Sequence, residues 1–333
     1  MDVNKIRWGV IGTARIGKIA VIPAIQAAYN SEIVAVASRE LDKAASFAAE
    51  IGIPKAYGSY EALLEADDID AVYIPLPNSM HCKWAIRAAE KGKHILCEKP
   101  LALNMMECQE MEAAANQYGV KLMEAFMYRF HPRSEKVLEM LKDGLVGELR
   151  YIRSVFTYRL TRPNNIRLRL ELGGGSLMDV GCYCVNISRT LARVEPVEVQ
   201  SYARWNQSGV DEQMSGTLLF SNALVAQFNC ALTMERNEVY EVAGTDGFLI
   251  IETAFLPGKG DVTIDEYHSQ GEVVQHNING ANEYQLMVED FVNCILENRP
   301  LRYTASEAAL NMRVIEALYH SARLEGKPVR LNN

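Results

Sequence analysis

The chain opens with short, nearly continuous apolar runs separated by stretches of helical periodicity. Ile6-Arg7-Trp8-Gly9-Val10-Ile11, Ile33-Val34-Ala35-Val36-Ala37, Ala71-Val72-Tyr73-Ile74, His94-Ile95-Leu96-Cys97 and residues 120–125 read as strands. Between them, residues 15–28, 41–51, 81–91 and 104–118 read as helices, and Gly92 is placed to end the third. Pro75 and Pro77 close the third strand, because proline cannot donate to a ladder. Apolar strands alternating with helices predict an α/β domain with a doubly wound parallel sheet.

The pattern changes near residue 147. Residues 149–158 read as one long strand, Gly173-Gly174-Gly175 break the chain, and 176–191 read as a helix. After Pro196, strand patterns follow without helices between them: 197–205, 213–220, 223–234, 239–244, 247–252 and 262–267. Ser221-Asn222 marks a hairpin turn. Helical patterns at 283–297 and 306–325 close the chain. This half predicts an α+β domain with a large, mostly antiparallel open sheet. The division is expected at 1–125 and 126–333, with the C-terminal helix packing back on the first domain.

Two domains also suit the 333 residues, too many for one core. A net charge of −8 with no basic run argues against a nucleic-acid partner. No apolar run reaches the roughly 18 residues of a membrane helix. Met1-Asp2-Val3-Asn4-Lys5 carries no signal core. The seven cysteines follow no zinc spacing. They read as reduced core residues of a cytoplasmic protein, and no metal is expected.

Chemistry concentrates where strands end. Gly12-Thr13-Ala14-Arg15-Ile16-Gly17 follows the first strand and opens a helix, the context a dinucleotide turn requires. Gly12 suits the tight turn and Gly17 close helix–strand packing. Ala14 replaces the middle glycine but keeps the turn narrow, so a pyrophosphate can reach the helix N-terminus. The competing reading is a packing turn in a domain that binds no nucleotide. The second strand ends in Ser38-Arg39, where an NAD site usually has an acid for the ribose. A hydroxyl and a guanidinium, with Lys43 one turn on, suit a 2′-phosphate instead. NADP(H) is therefore preferred, and NAD(H) remains the second cofactor. The rival reading leaves Arg39 in solvent and gives the ribose to Glu40. Glu98-Lys99-Pro100 follows the fourth of these strands, His94 to Cys97, and adds a reactive cation at the sheet's mouth. Asp179 and Tyr183 stand four apart in a helix pattern and so share a face.

Together with Pro75-Leu76-Pro77-Asn78-Ser79-Met80-His81, Tyr128-Arg129-Phe130-His131-Pro132 and Gly174-Gly175-Ser176-Leu177-Met178-Asp179-Val180-Gly181-Cys182-Tyr183, these motifs resemble the Gfo/Idh/MocA family (glucose–fructose oxidoreductase, inositol dehydrogenase, rhizopine catabolism) over nearly the whole chain. The resemblance implies an NADP-binding Rossmann domain and a substrate-binding domain whose open sheet forms a homodimer or homotetramer interface. Tyr183, where inositol dehydrogenases have histidine, resembles the branch of dimeric dihydrodiol dehydrogenase and NADP-dependent xylose dehydrogenase. The resemblance also implies that the loop Pro75, Leu76, Asn78 backs the nicotinamide.

Oxidising a sugar hydroxyl needs a base for its proton. A phenol at its ordinary pKa near 10 is a poor base at neutral pH, and a lysine cation favours the phenolate. Tyr183 is thus the expected acid/base, Lys99 its helper, and Asp179 the group that orients lysine or substrate. The bland readings are a packed tyrosine, a lysine paired to Glu98, and an aspartate serving its helix dipole. Glu98 is expected to be structural or to face the cofactor. His81 is expected at a helix start or beside the cofactor. Arg129, His131, Asn165 and Arg167 are candidate substrate contacts, the last two also readable as surface loop. The expected function is hydride transfer between NADP(H) and a sugar or cyclic polyol. The alternatives are a trans-dihydrodiol dehydrogenase, a keto-sugar reductase, or a non-catalytic NADP(H) sensor.

Overall fold

The computed structural model describes residues 5–268 and 271–331. Met1 to Asn4, which bear on the absence of a signal core, lie outside the described residues. The chain divides into two compact units, one of Met1–Phe130 with Asn282–Ala309 and one of His131–Ala281 with Leu310–Asn333.

The first unit is a six-stranded parallel sheet with helices. In chain order it runs β1 (Ile6–Ile11), α1 (Ile22–Ala27), β2 (Ser31–Ala37), α2 (Leu41–Ile51), β3 (Lys55–Tyr57), α3 (Tyr60–Leu64), β4 (Ala71–Ile74), α4 (His81–Glu90), β5 (His94–Cys97), α5 (Met105–Gln117) and β6 (Leu122–Glu124). The spatial order is β3-β2-β1-β4-β5-β6. It reverses between β1 and β4, the switch point where such sheets bind ligands. Every residue of β4 is buried, which explains its unbroken apolar run. The short pair β3 and α3 went unforeseen, having too few residues for a periodic signal. The helix expected over 15–28 is interrupted by a π-helical stretch, Gly17–Val21. It gives way to α1 at Pro23, which has no N–H to return to the preceding turn.

The second unit opens with α6 (Pro132–Lys142), also unforeseen, and β7 (Leu149–Arg159). A second π-helical stretch, Leu177–Gly181, leads into α7 (Cys182–Ala192). Then come β8 (Pro196–Trp205), β9 (Asp211–Phe220), β10 (Val225–Ala231), β11 (Thr233–Gly244), β12 (Gly247–Glu252), β13 (Val262–His268) and β14 (Val273–Ile278). After α8 (Glu283–Leu296) and α9 (Ala305–Arg323), β15 (Val329–Arg330) ends the described chain. The sheet order is β14-β13-β12-β11-β7-β10-β9-β8-β15. Its pairs are antiparallel except β10 with β7. The strand expected over 223–234 is two strands, because the chain turns at Leu232 around the end of β7. Strands β10 and β11 flank β7 on opposite sides.

One face of this sheet is apolar and buried, through Ile152, Phe156, Met214, Leu218, Phe228 and Cys230. The opposite face carries a shallow groove of about 330 Å³ whose lining includes Arg153, Gln200, Ser215, Thr217 and Gln227. All seven cysteines are free thiols. Among the described residues no helix is long and apolar enough to cross a membrane.

Helix α8 belongs to the first unit although it follows the whole second sheet in sequence. Phe291 is fully buried with its ring 5.8 Å from that of Trp8. The Asn30 amide donates to Glu289 O and Asn293 Oδ1 at 3.0 and 2.8 Å. Phe291→Ala should therefore cost about 3–5 kcal/mol in urea unfolding of the first unit, as deleting a fully buried ring does. A loss under about 1 kcal/mol would mean that α8 is dispensable to that core.

Candidate active site

In the first unit the candidate residues line the carboxyl ends of β1, β2, β4 and β5. The Gly12 N–H donates to Ala37 O at 2.9 Å, tying the turn after β1 to the end of β2. Gly12 has φ +113°, and a Cβ there would lie 3.0 Å from Leu76 Cδ2, so both backbone and space ask for glycine. The demand at Gly17 is milder, since a Cβ would make ordinary contact with Tyr73 at 3.4 Å. Thr13, Ala14 and Ile16 are half-buried and Arg15 is exposed. Ser38 is buried at the end of β2, while Arg39 and Lys43 are exposed and form no ion pair among the described residues. A bare turn after β1 with two uncommitted cations after β2 fits a dinucleotide bearing a 2′-phosphate.

The Glu98-Lys99-Pro100 segment is held at several points. Tyr73 Oη donates to Glu98 Oε1 at 2.6 Å. Burial first, and then the Glu98 charge, push the Tyr73 phenol pKa up, so it stays a donor. Leu101 N–H donates to the buried Glu124 Oε1 at 2.7 Å, and Glu98 N–H to Ile74 O at 3.1 Å. The Lys99–Pro100 peptide is cis. His81 opens α4 with no exposed surface. Its Nδ1 lies 3.0 Å from Pro100 O and its Nε2 2.8 Å from Leu76 O. Both nitrogens therefore face carbonyls of the flanking loops, and neither is left for a cofactor. Burial, opposed by those carbonyls, lowers its pKa. Pro75 and Leu76 are buried, and Asn78 and Lys99 are half-buried.

Arg129, expected at substrate, is buried and engaged elsewhere. Its Nη1 pairs with Glu307 at 2.6 Å and its guanidinium sits 3.5 Å from the Tyr303 ring centroid. Burial disfavours the charge, yet these neighbours hold the pKa above its usual value.

The second unit holds Asp179 and Tyr183. Asp179 lies inside the π-helical stretch rather than in an α-helix. Asp179 Oδ2 accepts from Tyr158 Oη at 2.7 Å and pairs with Arg167 Nε at 2.7 Å. Tyr158 carried no sequence signal. Burial and the Asp179 charge push its phenol pKa up, which keeps it a donor. Asn165, expected at substrate, caps the short turn before Arg167 by accepting its N–H at 3.0 Å.

Upstream, Asp211 anchors the helix start. Its Oδ2 accepts from Ser176 Oγ and Leu177 N–H, both at 2.7 Å, and its Oδ1 from Tyr319 Oη at 2.7 Å. Burial raises its carboxyl pKa against these donors. A Cβ on Gly175 would meet Asp211 Oδ1 at 2.1 Å, and one on Gly174 would meet Arg167 O at 2.5 Å. The glycine run is thus required by approach as well as by the Gly175 φ of +134°. Tyr183 is buried between Phe156 and Phe255, at centroid distances of 5.4 and 5.3 Å. Among the described residues no group of His, Cys, Asp and Glu is arranged to hold a metal ion.

The model described as an oxidoreductase family with an NAD-binding Rossmann fold matches residues 6–126, and that of the GFO/IDH/MocA C-terminal domain matches 134–250. The chain belongs to the Gfo/Idh/MocA oxidoreductase family. It is 39% identical, over 95% of its length and 97% of the relative's, to a D-xylose 1-dehydrogenase (NADP(+)) of Haloferax volcanii. A trans-1,2-dihydrobenzene-1,2-diol dehydrogenase of Xenopus tropicalis is 36% identical over 74% of each chain. The crystal structure of a 3-ketoreductase from Actinomadura kijaniata, in complex with NADP and TDP-benzene, superposes with a TM-score of 0.91 at 30% identity. It covers 96% of this chain and 98% of its own.

His131, the remaining candidate, is the N-cap of α6, its Nδ1 accepting the Arg133 N–H at 3.1 Å. It is 1% exposed, and its Nε2 is buried without a hydrogen-bond partner among the described residues. Burial, with Arg133 nearby, pushes its pKa down to about 4. Between pH 6.5 and 4 the unfolded chain takes up a proton here that the folded chain refuses. Stability from this group is therefore full above pH 6.5 and falls by about 3 kcal/mol as pH drops to 4. His131→Asn keeps a good N-cap and does not titrate. Denaturant titrations from pH 7 to 4 should show the variant losing less stability than the wild type. Parallel losses would remove His131 as the cause.

Proposed function

We propose that this family member is an NADP(H)-dependent oxidoreductase moving a hydride between the nicotinamide and a hydroxyl or carbonyl carbon of a sugar or cyclic polyol. The observation that carries the substrate class is the 39% identity, over nearly the full length, to an NADP-dependent D-xylose dehydrogenase. NADP+, when bound, would supply the hydride acceptor, and Gly12 to Ile16, Ser38, Arg39 and Lys43 would hold it. Tyr183 takes the hydroxyl proton in oxidation and returns it in reduction. The Lys99 ammonium favours the phenolate that accepts this proton. Asp179, kept as an acceptor by Tyr158 and Arg167, orients a substrate hydroxyl.

A second reading, keto-sugar reduction on a nucleotide-linked substrate, has its own support. The superposed 3-ketoreductase carries TDP-benzene, and Arg159 and Arg162 of this chain are exposed and form no ion pair among the described residues. Such cations suit phosphates.

Initial rates of NADPH formation across aldoses, cyclic polyols and a trans-dihydrodiol, alongside NADPH oxidation with a TDP-keto-sugar, separate these readings. Turnover of D-xylose or a related aldose supports the first, and rates confined to the TDP-sugar support the second. Tight NADPH binding with no turnover of any would point to a sensor. On the active substrate, Tyr183→Phe should lower kcat by about 10²–10⁴ while NADPH binding persists, in line with loss of an acid–base group. A variant that turns over at the wild-type rate sinks the assignment. Arg39→Asp should weaken NADPH relative to NADH by about tenfold or more, as loss of a charge-assisted phosphate contact implies. An unchanged ratio of dissociation constants would sink the 2′-phosphate reading.

A further inference from the structure

The wall behind Tyr183 is built in an unusual way. Phe255 is fully buried, stacked on Phe156 at 5.3 Å with their planes 9° apart, and tilted against Tyr183 at 53°. Phe156 meets the same tyrosine ring at 62°. Tyr183 thus sits in a corner of two aromatic rings, an arrangement that restricts the plane of its own ring.

Phe156 is held within β7, but Phe255 lies outside any strand, just after β12. What fixes it is the bend over residues 252–255. Arg133, 3% exposed on α6, donates from Nη1 to Glu252 O at 2.8 Å. It donates from Nη2 to Thr253 O at 2.8 Å and to Ala254 O at 3.3 Å. Ala254 N–H in turn donates to Glu238 O at 3.1 Å. Thr253 has φ +44°, a left-handed conformation that a β-branched residue avoids. Such outliers persist only where their surroundings impose them, and they gather at functional sites. Three consecutive carbonyls converging on one guanidinium are such an imposition. They need a planar, multi-donor head, which arginine has and lysine lacks.

We infer that Arg133 and the Glu252 to Phe255 bend are a positioning device for the Tyr183 acid/base. Arg133 holds the bend, the bend holds Phe255, and Phe255 with Phe156 confines the Tyr183 ring as a body, which fixes where its phenol oxygen stands and the plane in which its O–H lies. Arg133 and Phe255 touch neither proton nor hydride in this scheme. They act through Tyr183, so the inference rests on the acid–base role proposed above. A misplacement of about 1 Å at a reacting group can cost on the order of 10²-fold in rate.

The test uses full-length Arg133→Lys, Phe255→Leu, Thr253→Gly and Tyr183→Phe. Steady-state kinetics are measured with NADP+ and the most active aldose, with NADPH affinity by fluorescence. The ¹⁹F spectrum of protein labelled with 3-fluorotyrosine is recorded as well, the Tyr183→Phe spectrum assigning the Tyr183 line. Arg133→Lys keeps the charge and loses the fork. It should lower kcat about 10-fold or more with KM within about threefold and NADPH affinity unchanged. Phe255→Leu should do the same, and both should shift or broaden the Tyr183 line. Thr253→Gly accepts the left-handed backbone and should stay within about threefold of wild type in kcat, with its Tyr183 line unmoved. Wild-type kcat and an unmoved Tyr183 line in both Arg133→Lys and Phe255→Leu, with Tyr183→Phe inactive, would overturn the inference alone. Wild-type turnover by Tyr183→Phe would overturn the acid–base reading and the inference together.

Discussion

A strand paired on both sides and covered on both faces has only its ends to offer to chemistry. That constraint governs the first unit. Every residue of β4 is buried, and β1 lies between β2 and β4. The candidate residues are therefore forced into the turns after β1, β2, β4 and β5. Loops are the mobile part of such folds, so the turns need holding. The sheet does this with buried polar groups: Tyr73 on Glu98, Glu124 on Leu101 N–H, and His81 between two loop carbonyls. Each such group would be costly without its partner, so each fixes its loop in one arrangement.

The second unit solves a different problem. Its open sheet leaves one face to be covered, and the helix bearing Asp179 and Tyr183 lies on strands β7 and β10. A Cβ on Gly181 would stand 2.7 Å from Cys230 Sγ, so the helix sits at close range. Its N-terminus is met by the Asp211 carboxylate, which satisfies the Leu177 N–H and opposes the helix dipole. The buried carboxylate, the glycine run and the π turn form one local arrangement: glycine admits Asp211, Asp211 fixes the start, and the wide turn then delivers Asp179 to Tyr158 and Arg167.

How much of this was legible follows from where the information lies. Strands β1, β4 and β5 and helix α2 were readable to the residue, because each is an apolar or periodic run bounded by proline, glycine or polar residues. The chain's turn at Leu232 was not, because Ala-Leu-Thr continues an apolar strand pattern. What divides β10 from β11 is their choice of opposite sides of β7. The return of α8 to the first unit is equally invisible locally, since an amphipathic helix does not say which core it serves. Glu98-Lys99-Pro100 and the Asp179–Tyr183 pair were legible as motifs. Tyr158, Asp211, Tyr73 and Arg133 were not, because each acts on a partner between 21 and 121 residues away in sequence.

Four polar side chains next to functional motifs are used alike. His81, expected at a helix start or beside the cofactor, opens α4, while Arg129, His131 and Asn165 were expected at substrate. In the structure each is spent on the protein itself: on carbonyls, on Glu307 and Tyr303, and on two backbone N–H groups. A loop that must present one lysine or one arginine in a fixed place needs several polar neighbours that present nothing. Buried donors and acceptors beside a site are then better read first as its scaffold. Exposed and uncommitted cations such as Arg39 and Lys43 are better read first as its reach toward a ligand.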